Sequence, residues 1–123
     1  MAVNPNNTPL IIIKYWIPVI FYAILIFLLS SIPGGNIPFL FVGQDAVLHI
    51  IEYGILAILL NRLIKKQWPV LMSYRRFFLV FFISITYGIS DELHQLFIPN
   101  RYCSGLDLAF DGAGILMANI FYR

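Results

Sequence analysis

An all-α, four-helix transmembrane bundle with both termini cytoplasmic is the fold this sequence predicts, and three observations predict it. Of 123 residues, 60% are hydrophobic and only 11% charged, with mean hydropathy +0.84, whereas a soluble domain carries roughly a quarter charged residues. Four apolar stretches approach the roughly 20 residues that a helix needs to span a bilayer. The charges are sorted by sign along the chain. At this length a single domain, residues 1–123, is expected.

The first stretch, residues 15–32, ends at the breaker Pro33-Gly34-Gly35. Pro18 falls in its first turns, where a missing N–H costs least. No base precedes Lys14 and no small-x-small cleavage site follows the apolar run, so this stretch reads as a retained membrane helix rather than a cleaved signal. The second runs over residues 44–61, the third over 77–97 and the fourth over 105–122. Between the second and third, Trp68–Tyr74 is apolar but short and carries Pro69, which suits the membrane interface.

Orientation follows from the bases. Arg62, Lys65, Lys66, Arg75 and Arg76 share one loop, Lys14 precedes the first helix and Arg123 ends the chain. Excess Lys and Arg marks the cytoplasmic side, which leaves Arg101 as the lone outer base. All six acids (Asp45, Glu52, Asp91, Glu92, Asp107 and Asp111) and both histidines fall in the opposite, outer half. The net charge of +2, with no basic stripe, gives no argument for nucleic acid. Cys103 is the only cysteine, so it forms no internal disulfide and reads as a passive small residue.

The outer polar residues fall on helix faces. At about 100° per residue, Asp45, His49 and Glu52 lie within a sector of about 60°, with Tyr53 on its flank. Glu52 sits about 10 Å deeper than Asp45. An ionisable group at that depth costs at least about 2.5–3.5 kcal/mol and normally faces a bundle interior or a wet cavity. Asp45 alone suits a helix start. Asp91, Glu92, His94 and Gln95 cluster near the end of the third helix, bracketed by the apolar Leu96, Phe97 and Ile98. Asp107 and Asp111 are one turn apart on the fourth, and Gly114 and Ala118 continue that face, so a neighbouring helix can approach closely.

Six acids against one arginine cannot lie bare in low dielectric. They can share protons, hold a divalent metal, or receive a cationic or polar substrate from outside. His49 and Glu52, spaced i, i+3, reverse the Glu-x-x-His ligand spacing of bundle metal sites. HExxH, GxSxG and P-loop motifs are absent; a divalent metal is the one cofactor the pattern suggests, and any other is left open. Arg101, with Asn100 and Ser104, suits either neutralising the acids or taking a lipid phosphate.

The D-x-x-x-H-x-x-x-Y pattern at Asp45, His49 and Tyr53 resembles the opening motif of VanZ-like membrane proteins. D-E-x-x-Q-x-F-x-P-x-R at Asp91, Glu92, Gln95, Phe97, Pro99 and Arg101 continues the resemblance, as do Ser104, Asp107, Asp111 and Gly114. Ala46 stands where the family often has Lys, Asn100 where it usually has Gly, and Asp111 where it often has Asn. The resemblance implies a multi-pass protein of the bacterial cytoplasmic membrane with about four helices, in a family whose name-bearing member is associated with resistance to the glycopeptide teicoplanin.

Two functions are therefore expected. The first is an envelope protein acting on a lipid-linked or cell-wall-related ligand. Glu52, Asp91, Glu92 and His49 would serve as acid/base groups, with Asp45, Tyr53, His94, Gln95, Arg101, Ser104, Asp107 and Asp111 contacting the ligand. The second is a non-catalytic accessory or assembly subunit of a larger membrane complex. An ion pathway is the weaker expectation, because the inner half offers no ionisable relay.

Overall fold

A computed structural model describes residues 8–122, which form four helices: α1 (Thr8–Ser30), α2 (Gln44–Gln67), α3 (Ser73–Gln95) and α4 (Gly105–Phe121). No strand occurs among the described residues. The first three are long and apolar enough to cross a membrane. With 17 residues, α4 is about 25 Å long, short of a full span by length alone.

The helix limits differ from those expected, for local reasons. α2 continues past Asn61 to Gln67 because Arg62, Lys65 and Lys66 are good helix formers; a loss of hydropathy does not stop a helix. It stops where Pro69 excludes the residue before it from helical backbone, and Trp68 has φ −129° and ψ 74°. Only a short turn intervenes, so Tyr74 already belongs to α3. α1 begins at Thr8, which puts Pro18 well inside the helix rather than in its first turns. A wide π turn, Ile12–Trp16, precedes that proline, and Ile17 N–H donates to Ile12 O five residues back. Pro18 can donate nothing to the turn before it. Arg123, one of the bases used to orient the chain, lies outside the described residues.

The core is built from Ile26 of α1, Tyr53, Leu56, Ala57, Leu60 and Ile64 of α2, Val80 of α3 and Ile115 of α4. α2 is the central helix and packs most extensively on α4. That pair runs parallel: His49 meets Asp111 near their starts, and Asn61 meets Asn119 near their ends. The close approach depends on Gly114, where a Cβ would collide with the Ile50 carbonyl of α2. α1 is peripheral and largely exposed, whereas much of α2 is buried. Its exposed Ile, Leu and Phe side chains suit lipid rather than water.

Consecutive helices run antiparallel. At one end, Asn119 donates to the Phe77 carbonyl near the start of α3, and Arg62 lies 5.8 Å from the Tyr15 ring centroid of α1. At the other, Arg101 reaches the Leu29 carbonyl at the end of α1. All six acids therefore gather at one end, with Lys14, Arg62, Lys65, Lys66, Arg75 and Arg76 at the other.

Candidate functional site at the acidic end

The loops over the acidic end are tied together before any site is formed. Gly34 N–H donates to Pro99 O at 3.0 Å, and a Cβ on Gly34 would strike the Asn100 backbone. Asn100 adopts φ 57°, a left-handed conformation that Asn tolerates better than most residues, which accounts for Asn at a position that suits Gly. The Gln44 side chain closes the preceding loop, accepting from Leu40 N at 2.6 Å and donating to Pro38 O at 2.9 Å.

Two adjoining cavities lie beneath these loops. The larger, about 440 Å³, is lined by Asp45 and His49 of α2, Gln95 of α3, Asp107 of α4 and the loop residues Asn100, Arg101 and Ser104, among others. The smaller, about 180 Å³, shares Asp45, His49, Gln95 and Arg101 and adds Glu52, Asp91 and Ser30. The narrow face Asp45–His49–Glu52 thus meets Asp91 and Gln95 across a common space. Asp45 is exposed within it and Glu52 is half-buried.

Arg101 spends part of its guanidinium on structure. Nε donates to Ile32 O at 3.0 Å and Nη2 to Leu29 O at 3.2 Å, tying its loop to the end of α1. A guanidinium carries five N–H donors, so three remain for the cavity. Gln95 is held by a bond from Nε2 to Ser30 Oγ at 3.2 Å.

His49, Glu92 and Asp111 form a buried group behind the larger cavity. His49 Nδ1 is 2.7 Å from Asp111 Oδ1, and Nε2 is 3.8 Å from Asp107 Oδ2. Glu92 Oε2 accepts the Ser104 backbone N–H at 2.8 Å, and Ser104 Oγ accepts Asp107 N–H at 3.3 Å as the α4 cap. One potential ligand atom from each of His49, Glu92 and Asp111 lies within 4.8 Å of the others. Glu52, paired with His49 by spacing, faces the smaller cavity instead.

Two expected ligand contacts stand elsewhere. His94 turns to α1: its ring stacks on Phe27 with centroids 4.4 Å apart, and Nε2 is 2.9 Å from Ser31 Oγ. Gln95, about 100° further around the helix, lines both cavities. Tyr53 is fully buried in the core and lines neither cavity.

The family model for VanZ/LLP1 matches residues 10–123. The chain belongs to the VanZ/LLP1 family. No curated protein and no solved structure matches it.

This VanZ-family protein also holds polar residues that the sequence reading did not single out. Asn61 Nδ2 donates to Asn119 Oδ1 at 2.7 Å, and Asn119 Nδ2 to Phe77 O at 3.3 Å. This link joins α2, α3 and α4 at the basic end. Its signal was present: a lone amide inside an apolar helix needs a partner on another element. Ser30, likewise, ends the apolar α1 run as a buried hydroxyl.

Proposed function

We propose that this VanZ-family protein is a four-span protein of the bacterial cytoplasmic membrane with both termini inside. On this reading the acidic end faces outward, and its cavities receive the polar head of a lipid-linked or cell-wall-related ligand. The observation that carries it is the convergence of Asp45, His49, Glu52, Asp91, Gln95 and Arg101 on adjoining cavities at the end of an apolar bundle. Glu52 and Asp91 are the acid/base groups nearest such a ligand, with His49 between the two cavities. The unspent N–H groups of Arg101 suit an anionic oxygen of the head group. The association of the family's name-bearing member with teicoplanin resistance suggests the envelope setting.

The test is lipid analysis of the full-length protein extracted with its native membrane, wild type against Asp91→Asn and Arg101→Gln. Enrichment of one head-group class over bulk lipid, lost in the variants at equal yield, supports the reading. Bulk lipid alone in all three samples would overturn it. Extraction with larger chains at fixed stoichiometry would instead favour the accessory-subunit reading, to which the broad apolar face of α1 gives some support.

A further inference from the structure

We propose that His49, Glu92 and Asp111 bind a divalent cation, at a site that shares only His49 with the Glu52–Asp91 cavity and stands whether or not that cavity takes a lipid-linked ligand. The three residues come from α2, α3 and α4, and their potential ligand atoms fall within 4.8 Å of one another. Burial is nearly complete, with Glu92 3%, Asp111 0% and His49 8% exposed.

A second observation points to an occupant. Each carboxylate has one oxygen committed and one left over. Glu92 Oε2 is taken by the Ser104 N–H and Asp111 Oδ1 by His49. Glu92 Oε1 and Asp111 Oδ2 are buried with no hydrogen-bond partner among the described residues. Leaving such groups unmatched is costly, and two carboxylates close together stay ionised only if a positive charge lies between them. A cation held by the three residues supplies that charge.

The donor set also restricts the metal. Imidazole suits zinc and other late transition ions, carboxylates suit manganese and magnesium, and no thiolate is present. One nitrogen with two carboxylates therefore favours Zn²⁺ or Mn²⁺. Three protein ligands leave a coordination position for water or a substrate oxygen, as in catalytic rather than structural sites. His49 and the neighbouring Asp107 and Ser104 line the larger cavity, so that position adjoins the space where a ligand would sit.

The test uses full-length protein in detergent, carried on a tag without histidine. It is loaded with Zn²⁺ or Mn²⁺, desalted and measured for metal by mass spectrometry. Wild type and His94→Gln should retain about one ion per chain. Replacing an outer-shell group of a metal site costs about 10–100-fold in affinity, so Glu92→Gln and Asp111→Asn, which remove ligands, should lose at least that much. X-ray absorption should show a nitrogen/oxygen shell without sulfur. Wild-type protein that retains neither ion, or variants that retain it as well as wild type, would overturn the proposal. The wild-type measurement stands even if a variant fails to fold.

Discussion

His49 Nδ1 and Asp111 Oδ1, 62 positions apart in the chain, lie 2.7 Å from each other across the interface of two parallel helices. The pair is buried, so its members are interdependent. Removing one partner of a buried charged pair leaves the other uncompensated and costs about 3–5 kcal/mol. Asp111→Leu should therefore lower stability by that order in detergent unfolding. Asp111→Asn keeps the shape and one acceptor oxygen and should cost only about 1 kcal/mol. Negligible losses for both substitutions would show that the His49 contact does not stabilise the fold.

The glycines of α4 should differ sharply from one another. A Cβ at Gly114 collides with the Ile50 carbonyl, whereas one at Gly112 meets only Ile85 Cδ1 at 3.8 Å. Gly114→Ala forces α2 and α4 apart, and overpacking of this kind costs about 1–3 kcal/mol. Gly112→Ala should be neutral or stabilising by up to about 1 kcal/mol through helix propensity. Thermal unfolding of the two variants in one detergent checks the order, and a stable Gly114→Ala with an unstable Gly112→Ala would refute the packing.

At the basic end, Asn61 and Asn119 should show measurable coupling. Interhelical hydrogen bonds in membranes average about 0.6 kcal/mol by double-mutant cycles and reach about 1.7. The bond here is short and links amides that are both buried, so a value in the upper part of that range is expected. A cycle with Asn61→Ala and Asn119→Ala measures it, and additive effects would show that the amides act independently.

The architecture was largely legible in the sequence because apolar length and charge sorting act over whole segments. The convergence of Asp45, His49 and Glu52 was legible too, since a helix fixes the angles within one face. What could not be read was the pairing between helices, which depends on their relative rotation. Spacing within α2 linked His49 with Glu52, but α4 brings Asp111 against His49 and the Ser104 cap draws Glu92 beside them. His94 stands against Phe27 and Ser31 rather than in the cavities, a placement that depends on how α1 packs beside α3. The Arg101 contacts with Leu29 and Ile32 span some 70 positions, and no local pattern announces them.

Sidedness can be read from a residue the protein already has. Cys103 is exposed in the loop between α3 and α4, at the acidic end. A membrane-impermeant maleimide applied to intact cells should label it without permeabilisation if that end faces outward. Labelling only after permeabilisation would invert the topology and move the cavities to the cytoplasmic side.

The central claim is that the acidic end is the working part of the molecule, and glycopeptide tolerance at matched membrane abundance tests it most directly. Cells producing the wild-type chain should tolerate teicoplanin better than cells lacking it. Glu92→Gln and Asp107→Asn should abolish that difference while accumulating in the membrane to the wild-type level. Equally abundant variants that protect as well as wild type would contradict the account.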